Sequence, residues 1–379
     1  MAGCWSSFLD FFRGDPSRKQ FKRANAFYSQ YKASDKKDLK ALNNSIANYE
    51  LALNNRRKTK DGLPHPDLGI TLITYASVLW ERYTITHSQS DVLKVIELDE
   101  EAYALWESDP ASRPPDYPVL LLDLGNAYCN QYKVNPALHD MLGKAIIMFD
   151  KLKEVGTETD KQTGLIKLGD ALYTWCYDDL AQSQDEKEEK LDRSIAILEK
   201  AIEGGRIGRK EGASDSSIPY ETARQGLLTL AMAYNLRFQN RKLRADLDEA
   251  IKYNKLVLKH MRNDDTNTPY SLFDLAEKLF VKYEYEQGRR ATGRSTDGAW
   301  LSIDLKADKG VNELRGAEGA LTQVLQWREI DDAKHAELKS ESTKLLDTVR
   351  THITNLSRTA SRASSSTNLN ASDNGAEHV

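Results

Sequence analysis

A nine-residue segment recurs five times along the chain without gaps: YASVLWERY (75–83), LGNAYCNQY (124–132), LGDALYTWC (168–176), LAMAYNLRF (230–238) and LAEKLFVKY (275–283). A small residue always stands second, as Ala76, Gly125, Gly169, Ala231 and Ala276. A large apolar residue follows three later, as Leu79, Tyr128, Leu172, Tyr234 and Leu279. Two helices approach closely only where a side chain is small, and the bulky neighbour one turn on fills the adjoining hole. A chain that repeats this arrangement is built from paired helices.

The clearest copy is Pro219–Asn263. Leu227, Leu230, Ala231, Tyr234 and Phe238 form one apolar stripe, and Leu247, Ala250, Ile251, Val257 and Leu258 form a second. Pro219 suits the first turn of a helix, and Asp246 with Glu249 three residues on predicts a capping box at the start of the next. Comparable units run over Pro66–Pro110, Pro115–Gly156, Lys161–Gly205 and Pro269–Glu329, so that successive starts lie 49, 46, 58 and 50 residues apart. Residues 38–53, with Leu42, Ser45, Ile46 and Ala52 on their stripe, and FKRANAFYSQY before them predict an earlier pair. Second helices carry a weaker signature, in which Val95, Ala145, Ser194 and Ala250 are each followed by Ile. Repeats of paired helices at this period predict an all-α fold, a right-handed α-solenoid of about six stacked antiparallel helix pairs.

This pattern resembles the tetratricopeptide repeat. More narrowly, the long polar links and the ending DLDEAIKYNKLVL look like the extended repeats of fungal tetratricopeptide-like proteins. The likeness covers roughly residues 20–330, in units longer than the usual tetratricopeptide length. It implies a superhelix whose first helices line a concave groove. Carried over by resemblance, the groove positions are Ser77, Asn126, Asp170, Met232 and Glu277, and one turn further on Trp80, Cys129, Tyr173, Asn235 and Phe280. Such a mixture of amide, acid and aromatic groups grips an extended peptide through its backbone amides and a few side-chain pockets. The competing reading is that several of these residues contact the neighbouring unit. Ile73 and Leu122 stand where a chaperone-tail clamp expects Lys, which argues against that class of ligand.

Composition narrows the function further. A net charge of -4 across 53 basic and 57 acidic residues gives no broad field for nucleic acid or acidic lipid. Cys4, Cys129 and Cys176 lack the spacing of a disulfide framework or zinc site, and Cys129 and Cys176 read as small buried hydrophobes. No run approaches the ~18 apolar residues of a membrane span, so the expected compartment is cytoplasmic, or nuclear. The histidines are scattered, and no HExxH, GxSxG, CxxC or Walker-type loop occurs. No catalytic, cofactor or metal set is therefore expected, and the chain reads as a scaffold for a protein or peptide partner.

Alternatives remain at this level. Asp178-Asp179 resembles the aspartate-rich motif of all-helical terpene synthases, although position 182 is Gln. The bland reading is an acidic helix end. Asp99-Glu100-Glu101 reads as a solvated face, and Trp80, Trp106, Trp175 and Trp327 as core. Residues 1–19 begin with an aromatic segment in which Trp5, Phe8, Leu9 and Phe12 share a helical face. It reads as a cap over the first repeat or as a membrane anchor helped by lipidation of Cys4. Residues 204–218 and 287–299 are expected to be surface loops, 331–356 a C-terminal capping helix and 357–379 a disordered tail. Thr292, Ser361 and Ser364 follow basic residues as kinase sites do, and a phosphate there would add about two negative charges.

Overall fold

The computed structural model describes residues 15–57, 65–181, 183–204, 206–207, 217–218, 220–261, 267–292, 311–327 and 335–372. Among them are thirteen α-helices: α1 (Pro16–Ala33), α2 (Leu39–Arg57), α3 (Leu68–Thr86), α4 (Gln89–Ser108), α5 (Tyr117–Val134), α6 (His139–Leu152), α7 (Glu158–Tyr177), α8 (Gln184–Gly204), α9 (Tyr220–Arg241), α10 (Arg244–His260), α11 (Thr268–Thr292), α12 (Val311–Leu325) and α13 (Ala336–Ser372). The fold is all-α, as the repeats predict. The link after α8 adds a small element that the composition does not announce. Arg206 and Ile207 pair in parallel with Ser217 and Ile218, in two strands of two residues each.

The chain divides into two compact units, Met1–Lys190 with Glu203–Ile218, and Leu191–Ile202 with Pro219–Val379. The boundary falls within α8, inside the third sequence repeat. In the first unit α1 packs on α2, α3 on α4 and α5 on α6, and each pair stacks on the next in chain order up to α7. Its core holds Tyr31, Tyr49, Leu72, Leu79, Leu98, Leu121, Leu124 and Phe149, all essentially without solvent contact. In the second unit α9 pairs with α10, α11 with α12, and α12 with α13. The stripes named for Pro219–Asn263 are buried there except for Leu258, which packs half-buried against the core, and Leu272, Leu275, Leu279, Leu314 and Leu321 extend that core.

The small second position of the repeat has the predicted use. A Cβ placed on Gly125 would come within 2.8 Å of Phe149 Cζ on the partner helix. Ala76, Ala231 and Ala276 are buried in the equivalent place. Gly69 serves a similar purpose one repeat earlier, where a Cβ would lie 2.6 Å from Trp106 Cζ2.

In three of the five repeats a cation at the eighth position ties neighbouring helices together, and Gln131 and Trp175 at the other two hide this in the sequence. Arg82 on α3 donates from Nε to Asp91 Oδ2 at 2.8 Å on its own partner helix, and from Nη1 to Asn43 Oδ1 at 3.0 Å on the second helix of the preceding pair. Arg237 on α9 repeats the arrangement. It reaches Asp246 at 2.7 Å on α10 and Asp192 at 2.8 Å on α8. Lys282 on α11 lies 2.8 Å from Asp248 and 3.4 Å from Glu313. One cation therefore staples three helices each time. The ninth position adds a tie to the following first helix. The Tyr31 hydroxyl donates to Glu81, Asn130 donates to the Tyr83 oxygen, and the Tyr132 hydroxyl donates to Asp178.

The staple explains a difference from the expected capping. Leu243, not Asp246, occupies the N-cap of α10 and offers no side-chain cap. Asp246 lies three residues into the helix and is turned inward onto Arg237, because a buried carboxylate gains more from a guanidinium than from a helix end already open to water. A complete capping box forms instead at α7, where Thr157 and Asp160 satisfy each other's backbone N–H. Pro219 lies outside the described residues.

Three further expectations change. Asp99 is 1% exposed rather than solvated, Glu100 accepts from Tyr128, and Glu101 pairs with Arg57, because α4 turns this edge towards its neighbours. The helix α11 runs on to Thr292 through residues expected to form a loop, since Gln287, Arg289 and Ala291 are good helix formers. The helix α13 continues to Ser372, through Ser361 and Ser364 and most of the tail expected to be disordered. Hydroxyls along it fold back onto the helix, for example Thr354 to the carbonyl of Arg350 and Ser357 to that of Ile353. Cys4 and residues 1–14 lie outside the described residues, as do 373–379. Among the described residues no helix is long and apolar enough to cross a membrane.

Candidate functional site

The first helices of three successive pairs, α3, α5 and α7, converge in the first unit on an open cleft of about 310 Å³. Its walls are Trp80, Asn126, Cys129, Asn130, Lys133, Phe149, Lys167 and Asp170. Trp80, Asn126, Cys129 and Asp170 are residues the groove assignment names, from the third and sixth positions of the repeat. They meet because those positions follow the buried small residue by one and four. One face of each helix is thereby turned away from its own partner.

The polar groups of the cleft are unevenly satisfied. Asn130 uses its amide N–H on the Tyr83 hydroxyl at 2.7 Å, and its Oδ1 is buried without a hydrogen-bond partner. Tyr83 in turn packs on Trp80, with ring centroids 5.3 Å apart, so the indole and the amide are positioned together. Lys133 is exposed and Lys167 half-buried, and among the described residues neither side chain makes an ion pair or a hydrogen bond. Asp170 is already engaged within the chain. Burial, reinforced by the charge of Asp170 and opposed by Lys133 and Lys167, pushes the Cys129 thiol up to about 12. It is a protonated wall group at neutral pH and no nucleophile.

The other proposed groove residues are placed elsewhere. Ser77 lies beside the Asp123 carboxylate, which its hydroxyl draws downward in pKa, so it faces α5 and not the cleft. Tyr173 is 9% exposed and packs against Tyr177 at 5.7 Å. In the second unit Met232 and Asn235 are half-buried and Glu277 is exposed. Phe280 meets the His352 ring of α13 edge-on at 5.5 Å, which makes it part of the C-terminal packing rather than an open wall. Of the four tryptophans read as core, Trp106 is buried, whereas Trp80, Trp175 and Trp327 keep partial exposure. Asn130, Lys133 and Lys167 escape the sequence assignment. A signal for the first two exists, since Asn126, Asn130 and Lys133 fall at helical spacing on one face of α5.

The aspartates that resemble a metal-binding motif are occupied by the chain itself. Asp178 accepts from Tyr132 at 2.6 Å, and Asp179 pairs with Lys187 at 2.7 Å. Among the described residues no group of three or more His, Cys, Asp or Glu side chains is placed to hold a metal ion.

No protein-family model matches the chain, and no curated protein matches it in sequence. Similar solved structures include the nuclear import adaptor Nro1 of S. pombe, at 15% identity over 86% of this chain and 98% of that one, with a TM-score of 0.43. A second Nro1 structure, described as the hypoxic regulator of sterol synthesis that is a nuclear import adaptor, aligns at 15% identity over 85% and 97% with a TM-score of 0.41. The designed helical repeat protein DHR64 aligns at 11% identity over 88% and 94%, with a TM-score of 0.11. Superposition at these scores transfers neither fold nor function to this chain.

Proposed function

We propose that the chain is a non-enzymatic adaptor that holds a segment of a partner protein in the cleft of α3, α5 and α7. The observation that carries this reading is the convergence of Trp80, Asn126 and Asp170 from three consecutive repeats on one open concavity. Its volume is at the lower end of ligand sites, enough for one or two anchored side chains of a longer extended segment. An aromatic wall with adjacent amides suits a peptide, which brings both apolar side chains and backbone hydrogen-bonding groups.

Co-purification from cell extract with quantitative mass spectrometry tests the proposal. A partner retained by the wild-type chain should be depleted with Asn126→Ala and with Trp80→Ala while circular dichroism shows both variants folded. Retention of every partner by both variants would remove the cleft from the interface.

A further inference from the structure

We infer that the cleft selects an acidic segment of its partner, with Asp or Glu carboxylates flanking an apolar side chain. This deepens the adaptor reading and rests on it. Several lysines on the helices around the cleft are matched. Lys144 and Lys151 on the neighbouring α6 are tied to Glu100 and Glu107, and Lys187 and Lys190 on α8 to Asp179 and Glu186. Lys133 and Lys167 both line one concavity, and among the described residues neither makes an ion pair. Asp170 is the one acid of the same wall and is already engaged within the chain. The wall therefore carries two cations against one carboxylate, in a chain whose net charge is negative.

The rest of the wall suits a peptide. Asn126 offers a half-buried amide to the backbone of an extended segment. Trp80, which keeps partial exposure, supplies an apolar wall for a side chain between the charges. No Arg lines the cleft, so the anion is met by lysine point charges and not by a bidentate fork.

The probe is a phage-displayed library of random dodecapeptides panned on the full chain, followed by fluorescence anisotropy of a selected peptide made synthetically. Selected sequences should be enriched in Asp and Glu around an apolar residue. Each partly exposed cation contributes about 0.7 kcal/mol, so Lys133→Ala with Lys167→Ala should weaken binding about tenfold. Binding should also weaken as salt rises. Lys133→Glu with Lys167→Glu should instead select peptides rich in Lys and Arg, a reversal that a purely structural role cannot produce. Among the described residues neither lysine makes an ion pair, so these variants leave the described ion pairs intact. Trp80-dependent peptides without acidic enrichment, or indifferent to the lysine substitutions, would overturn the acidic preference and leave the adaptor reading standing. Peptides indifferent to Trp80→Ala and Asn126→Ala as well would overturn both. An empty selection would overturn the inference, with the adaptor reading then judged by co-purification alone.

Discussion

Replacing Asp123 by Asn should stabilise the first unit at neutral pH and leave it unchanged in mild acid. Asp123 on α5 faces Asp99 on α4. Burial lifts the Asp123 carboxyl to about 6, against the lowering effect of the Ser77 hydroxyl, and burial together with the Asp123 charge lifts Asp99 well above the carboxylate range. Folding raises the pKa, so the native state keeps a proton over a window in which the unfolded chain has lost it. Stability is therefore fully present below pH about 4 and is lost as pH rises through about 6. The change from 3.8 to about 6 corresponds to about 3 kcal/mol. Asp123 keeps some solvent contact, so about 2 kcal/mol is the expected gain for Asp123→Asn at pH 7.5. Urea denaturation followed by tryptophan fluorescence at intervals from pH 4.5 to 7.5 measures it. The wild-type curve should fall more steeply across this range than the variant's, in which buried Asp99 still titrates, while Ser77→Ala should move the fall to higher pH. Parallel curves for wild type and Asp123→Asn would refute the assignment of the buried proton.

Other substitutions test the packing. Gly125→Ala drives a methyl into the Phe149 ring and should cost about 1–3 kcal/mol in the same denaturation assay. Arg237→Ala leaves the Asp246 carboxylate buried without its cation and should cost about 3–5 kcal/mol, and adding Asp246→Asn should recover part of that loss. Glu107 has the opposite pH sign to Asp123. Hydrogen bonds from Lys151 and Tyr117 pull it down to about 2, so its contribution is present above pH about 4.5 and lost as pH falls towards 2. Acid titration of wild type against Glu107→Gln should show the variant losing less stability across that window.

The helical pairing was legible because it depends on residue size at fixed spacing, and Gly125 beneath Phe149 shows the steric reason directly. The polar ties were not legible. At the eighth position Arg82, Gln131, Trp175, Arg237 and Lys282 share no chemistry, and their partners lie on other helices. Asp246 illustrates the difficulty. Its spacing from Glu249 satisfies the pattern of a cap, yet Arg237, nine residues back, decides its orientation. The cleft was half legible. Positions beside the small residue do face outward, and Trp80, Asn126 and Asp170 meet there. Ser77 and Phe280 occupy equivalent positions and are drawn away by Asp123 and by α13.

The three-helix staples also bear on how the chain is made. Arg82 reaches back 39 residues to Asn43, and Arg237 reaches back 45 to Asp192. Each anchor is translated before the side chain that will seize it, and the span between them is about one repeat. A hairpin emerging from the ribosome therefore meets a finished docking surface, and assembly within each unit can follow the order of synthesis without waiting for the C-terminus.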